Sequence, residues 1–237
     1  MKIETAVLTN AGGRQINDDT VSVLCREGTY VFVGDGLGGY AGGRQASQAA
    51  GEALMKQAEK GGLISKERMA TVAEAANSAV CDLQEKTEGN MKTTLVFLAI
   101  EDGKAMWMHV GDSRLYHFRS GNLVCQTKDH SVSQMAVLLG QITQSQIRFH
   151  EDRNRVLRAL GAEKTKPDVS AAMEITAGDA FLLCTDGFWE FVEEQEMERA
   201  LAEAKTPRAW LDGMETILRS RIPDNTDNYT AAAVFCE

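Results

Sequence analysis

The chain predicts an α+β layered domain built mainly on antiparallel strands, and three observations carry that reading. Short β-type runs recur along the whole length, turn signals such as Glu101-Asp-Gly103 and Ser120-Gly-Asn122 join neighbouring runs into hairpins, and helical stretches come in blocks between groups of strands. A helix after every strand would instead predict a doubly wound parallel sheet.

In chain order, the predicted strands occupy residues 6–9, 20–24 and 30–33, each an apolar or β-branched run of strand length bounded by Gly, Asn or Asp. Two helices follow at 44–59 and 66–86, where alanine, leucine and glutamate recur at amphipathic spacing. Strands at 94–100, 105–110 and 114–118 are short enough, and linked tightly enough, to form hairpins. A helix at 131–139 leads to a strand at 181–184, helices at 193–204 and 207–219, and a last strand at 231–235. No internal repeat or low-complexity segment interrupts the pattern.

Composition narrows the function. With 237 residues, 43% hydrophobic and 25% charged, and only three prolines, the chain has the balance of an ordinary globular protein, so one domain over residues 1–237 is expected. A net charge of −9 argues against nonspecific affinity for nucleic acid or an anionic membrane, which need a basic face. Cys25, Cys81, Cys125, Cys184 and Cys236 form no Cys-x-x-Cys pair and show no disulfide spacing, which fits reduced thiols. The start lacks the apolar stretch of a signal peptide, and the apolar run 95–100 is too short to span a bilayer, so a cytoplasmic protein is expected.

Asp35 and Asp186 each close a short apolar run and each precedes glycine. A carboxylate at a strand end, beside a residue that lets the backbone turn sharply, can be aimed into a cleft as a ligand for a hard cation. Asp112 follows the run 105–110, Asp227-Asn228 precedes the last strand, and Arg14 lies just before Asn17-Asp18-Asp19. Singly, each of these also reads as a turn or a solvated loop. Jointly they place oxygen ligands suited to Mg²⁺ or Mn²⁺ alongside one planar cation suited to phosphate. Gly36-Leu-Gly-Gly39 lacks the Gly-Lys-Ser/Thr ending of a nucleotide-binding loop, and its aspartate repels phosphate unless a metal intervenes.

The histidines show no local zinc spacing. His109, His117 and His150 read as structural, and His130 as fixing a strand-to-helix turn. No cysteine is followed by arginine six positions later, which excludes the loop that activates a cysteine nucleophile toward phosphate.

In their order, these motifs resemble the metal-dependent serine/threonine phosphatases of the PP2C (PPM) type in compact bacterial form. The resemblance rests on Gly13-Arg14, Asn17-Asp18-Asp19, Gly34-Asp35-Gly36, Ala46-Ser47, Thr93-Thr94, Gly111-Asp112-Ser113-Arg114, Asp129-His130-Ser131, Arg158 to Gly161, Thr185-Asp186-Gly187 and Asp227-Asn228-Tyr229-Thr230. It implies a four-layer α/β/β/α sandwich with two central, mainly antiparallel sheets, and hydrolysis of phosphoserine or phosphothreonine by a hydroxide held between two tightly bound Mn²⁺ or Mg²⁺ ions. By the same resemblance Asp35 bridges both ions, the Gly36 carbonyl binds one, and Asp186 and Asp227 hold the other. Asp19, with Asp18, anchors water; Asp112 joins Asp186 around a looser third ion; Arg14 grips the substrate phosphate; and Asn228 orients the metal ligands.

Three positions depart from the family pattern. Leu37 and Tyr40 stand where the animal and bacterial branches have histidine, and Lys92 precedes the paired threonines in place of glycine. The general acid is therefore left open. The segment 129–161 further resembles stand-alone phosphatases that accompany serine/threonine kinases, among them those tuning type VI secretion through a forkhead-associated scaffold. The implied partners are a phosphorylated protein, its kinase and a forkhead-associated protein. A noncatalytic scaffold of the same fold and a hydrolase of small phosphate esters are the alternatives.

Overall fold

The computed structural model describes residues 1–38 and 42–237. Its elements run β1 (Ile3–Asn10), β2 (Thr20–Cys25), β3 (Thr29–Gly34), β4 (Gly36–Leu37), α1 (Gly42–Ala58), α2 (Lys66–Thr87), β5 (Lys92–Thr93), β6 (Leu95–Glu101) and β7 (Lys104–Val110). They continue β8 (Arg114–Arg119), β9 (Asn122–Gln126), α3 (Val132–Leu138), a 3-10 turn (Gln144–Phe149), β10 (Asp168–Val169), β11 (Met173–Glu174), β12 (Asp179–Cys184), α4 (Asp186–Trp189), α5 (Glu194–Glu203), α6 (Pro207–Arg219) and β13 (Tyr229–Cys236).

Two antiparallel sheets form the centre, one ordered β1-β13-β12-β8-β9 and the other β10-β7-β6-β3-β2, with β11 also paired to β7. The strand sequences explain why they lie inside. In β6, Leu95, Phe97 and Ala99 face one apolar cluster while Val96, Leu98 and Ile100 face another. In β12, Ala180, Leu182 and Cys184 face one side, and Phe181 and Leu183 the other. Strands apolar on both faces need cover on both faces.

The cover comes from three cores. Val31, Val33, Val96, Leu98, Phe181, Leu183 and Val234 pack between the sheets. Helices α1 and α2 press Ala46, Ala50, Leu54, Met69, Val72 and Ala76 onto Phe32 and Phe97 outside the second sheet. Residues from α4 to α6, including Trp189, Met197, Trp210 and Met214, cover the outer face of the first. This is the α/β/β/α sandwich that the resemblance implies. Each fully buried Leu, Phe or Met contributes about 1.5–3 kcal/mol by removal from water.

Helix starts follow capping chemistry. Ser65 accepts the Arg68 N–H ahead of α2, Ser131 accepts that of Gln134 ahead of α3, and Thr206 accepts that of Ala209, with Pro207 in the first turn of α6. Among the described residues no helix is long and apolar enough to cross a membrane.

Candidate active site

The acidic strand ends meet at one end of the two sheets. Asp18 and Asp19 precede β2, Asp35 lies between β3 and β4, Asp112 lies in the turn from β7 to β8, Asp186 opens α4 after β12, and Asp227 precedes β13. Arg14, Asp18, Asp35, Gly36, Asp112, Asp186, Asp227 and Asn228 line one cleft of about 460 Å³. Asp19 lies behind its wall, buried, with Oδ2 accepting the Thr185 hydroxyl at 2.9 Å.

Backbone contacts hold Asp35 in place. Its N–H donates to Thr94 Oγ1 at 2.8 Å, and its carbonyl accepts both the Thr94 N–H at 2.8 Å and the Thr93 hydroxyl at 2.9 Å. Thr94 Oγ1 also lies 2.7 Å from Ser113 Oγ, which ties the Asp35 turn to the Asp112 turn. The paired threonines thus position two carboxylates from neighbouring loops. Gly36 has a different reason to be glycine: a Cβ there would stand 2.2 Å from the Gly43 carbonyl oxygen and 2.6 Å from that of Asp18.

Asn228 performs the same service for the N-terminal loop. Its Oδ1 accepts the Asp18 N–H at 2.8 Å, and its Nδ2 donates to the carbonyls of Ala11 and Ile16 at 2.9 and 3.0 Å. The Asp18 carboxylate turns toward α1, where Oδ1 accepts the Arg44 N–H at 3.1 Å. Below Asp112, Trp189 donates its indole N–H to the Asp112 carbonyl at 2.9 Å. The Arg114 guanidinium stacks 3.4 Å from that ring and bonds both oxygens of buried Asp129 at 2.8 and 2.7 Å.

Electrostatically the site is frustrated. Burial raises the Asp19 and Asp112 carboxyls to about 7. Asp35 and Asp186 keep some surface on the cleft, but protein surrounds them, and loss of water with repulsion from neighbouring carboxylates drives both well above the usual range. Asp19 Oδ1 and Asp112 Oδ1 are buried without a hydrogen-bond partner. Orphaned acceptors and crowded carboxylates are what a hard divalent cation would satisfy, and an all-oxygen set fits Mg²⁺ or Mn²⁺.

The cleft also includes Gln15, Ile16, Asn154 and Val156, which sequence reasoning did not single out. Asn154 belongs to a polar loop in which the adjacent Arg153 pairs with Glu190 at 2.8 Å. The sequence marked that loop only as part of the segment 129–161 and its resemblance, without assigning Asn154 a place in the site. Tyr40 and Gly39 lie outside the described residues. His109, His130 and Asp168, far apart in sequence, also meet, with candidate ligand atoms within 4.8 Å of one another. A cation already serves that group, for Arg158 Nη1 lies 3.2 Å from Asp168 Oδ1 and 3.3 Å from His130 Nε2.

The two-sheet sandwich with an acidic cleft at its end defines a class, and the sequence agrees with it: the chain belongs to the protein phosphatase 2C family, whose model it matches over residues 10–219. Among its relatives is the serine/threonine protein phosphatase PstP of Mycobacterium tuberculosis, 33% identical over 226 residues that cover 93% of this chain and 43% of PstP. The chain thus spans less than half the length of that relative. Protein phosphatase PhpP of Streptococcus pneumoniae is 30% identical over 242 residues, covering 98% of this chain and 97% of PhpP. The PstP catalytic domain, solved in complex with two manganese ions, superposes with a TM-score of 0.84 at 29% identity over 98% of this chain and 97% of that one. PppA, described as a key regulatory component of the type VI secretion system in Pseudomonas aeruginosa, superposes with a TM-score of 0.81 at 27% identity, covering 99% and 98%.

Proposed function

We propose that this chain is a metal-dependent protein phosphatase that hydrolyses phosphoserine and phosphothreonine. The observation that carries the reading is the convergence of Asp35, Asp112, Asp186 and Asp227 on one cleft with Arg14 at its mouth. Asp35, the Gly36 carbonyl, Asp186 and Asp227 would hold two Mn²⁺ or Mg²⁺ ions, with Asp19 and Asp18 behind them and Asp112 beside a third. Ions bound there supply charge neutralisation of the phosphate ester and acidify water toward neutral pH.

The chain's own residues do the rest. Arg14 presents a planar pair of N–H donors that can grip two phosphate oxygens at once, which a lysine cannot. Thr93 and Thr94 keep Asp35 from relaxing away from its neighbours, and Asn228 keeps the Arg14–Asp18 loop against β13. This support pre-organises the site before any ester arrives.

The physiological partners we propose are a phosphorylated protein, the serine/threonine kinase that modifies it and a forkhead-associated scaffold, in a cytoplasmic setting. Support for the narrower pathway comes from the fold likeness to PppA. The test is hydrolysis of p-nitrophenyl phosphate and of a phosphothreonine peptide with and without Mn²⁺. Turnover should require the ion, and full activity after exhaustive chelation would overturn the proposal. Dephosphorylation of an autophosphorylated kinase encoded beside this chain tests the pathway.

A further inference from the structure

A second groove, of about 640 Å³, opens from the acidic cleft and shares Leu37 and Val156 with it. Its sign is reversed. Among the described residues, Lys92, Arg158, Lys164 and Lys166 line it against a single carboxylate, Asp168, in a chain whose net charge is −9. Asp168 is already paired with Arg158 at 3.2 Å. No carboxylate lies within ion-pair distance of the three lysines among the described residues.

The groove is joined to the cleft by backbone pairing. Lys92 is the register partner of Leu37, beside Gly36, and it directly precedes the threonines that fix Asp35. At the other end, Arg158 is held by the Asp168 carboxylate and by His130, whose ring stacks on His109 at 4.7 Å. A chain whose phosphorylated residue sits in the cleft would, on this side, run past four cations.

We infer that this groove binds an acidic stretch of the substrate on one side of the phosphorylated residue; the inference rests on the phosphatase reading of the adjacent cleft. Ammonium groups on flexible stems suit carboxylates spread along an extended peptide. Single-stranded nucleic acid fits less well because, among the described residues, no aromatic side chain lines the groove to stack a base. An anionic bilayer fits less well because the groove is concave and the whole chain is acidic.

The test separates docking from turnover. Fluorescence anisotropy on the Mn²⁺-loaded protein would compare peptides in which a non-hydrolysable phosphonate analogue of phosphothreonine is preceded by aspartates, followed by aspartates, or flanked by neutral residues on both sides. One of the two acidic peptides should bind about tenfold more tightly than the neutral one, the scale of a few exposed ion pairs. High salt should remove the difference. The double variant Lys164→Glu/Lys166→Glu should abolish it while leaving hydrolysis of p-nitrophenyl phosphate, which is too small to reach the groove, unchanged.

Equal affinity for all three peptides, or an acidic preference that survives the double reversal, would overturn the inference. Tighter binding of single-stranded RNA than of either acidic peptide would also overturn it. Hydrolysis of p-nitrophenyl phosphate is read in parallel: its absence with Mn²⁺ present counts against the phosphatase reading, while the binding comparison still decides the groove.

Discussion

Arg14 and Asp227 face each other edge to edge at the mouth of the cleft, with Nε and Nη2 of the guanidinium each 3.2 Å from a different carboxylate oxygen. Both side chains are about half exposed, at 56% and 52%. The residue suited to gripping phosphate therefore rests on a residue suited to gripping metal. A cation bound at Asp227, as proposed, would compete with the guanidinium for it.

Arg14→Lys should separate these roles. Loss of the two-pronged grip should raise KM for phosphopeptides by about tenfold, the scale of one charged hydrogen bond. Weaker competition for Asp227 should move the Mn²⁺ activation midpoint to lower concentration. Kinetics across a Mn²⁺ series reads both, and an unchanged KM would remove Arg14 from phosphate binding.

The carboxylate cluster sets a pH dependence for the metal-free protein. Asp19 and Asp112 titrate near 7 in the fold, and Asp35 and Asp186 lie well above their ordinary values. The unfolded chain releases the same protons near pH 4. The fold thus binds more protons between about pH 4 and 7, so its stability falls as pH rises through that window. Burial lowers His109 and His130, which act in the opposite sense. The difference in melting temperature between chelated and Mn²⁺-loaded samples isolates the cluster, and it should widen from pH 5 to pH 8.

Asp35→Asn should uncouple stability from activity. Removing one buried charge relieves repulsion, so the chelated variant should melt higher than wild type. Turnover should fall by on the order of a hundredfold or more, because its candidate metal position is lost. Asp112→Asn should cost less activity. Calorimetric titration showing two ions bound to Asp35→Asn with wild-type affinity would refute the bridging role.

Asp129→Ala tests the foundation beneath Asp112. Arg114 and Asp129 are both nearly inaccessible, at 2% and 1% of side-chain surface. Truncating the acid strands a buried guanidinium and should cost about 3–5 kcal/mol in urea unfolding. Trp189, stacked on Arg114 and bonded to the Asp112 carbonyl, should show altered fluorescence in the same variant.

The predicted strands and helices match the structure to within three residues at each end, because their apolar periodicity persists over many residues. What was not legible had no periodicity to read. β4, β5, β10 and β11 are two residues long, α4 is a single turn that begins at Asp186 itself, and β9 (Asn122–Gln126) and the 3-10 turn Gln144–Phe149 are short runs that the predicted elements also omit. The acidic residues at strand ends were visible as residue types at recurring positions. Their supports were not: the hydroxyls of Thr94 and Thr185 find Asp35 and Asp19 across 59 and 166 residues, distances that no local pattern encodes. The meeting of His109, His130 and Asp168 was hidden for the same reason.

The pairing of β1 with β13, register Ile3 with Cys236 through Asn10 with Tyr229, bears on how the protein is made. On the ribosome, the strand Ile3–Asn10 emerges long before the partner that completes its sheet exists. Asp18, Asp19 and Asp35 likewise wait for Asp227. Cation capture at the proposed site would then follow the emergence of Asp227, and ions held between Asp35 and Asp227 would certify that β13 has been placed in register.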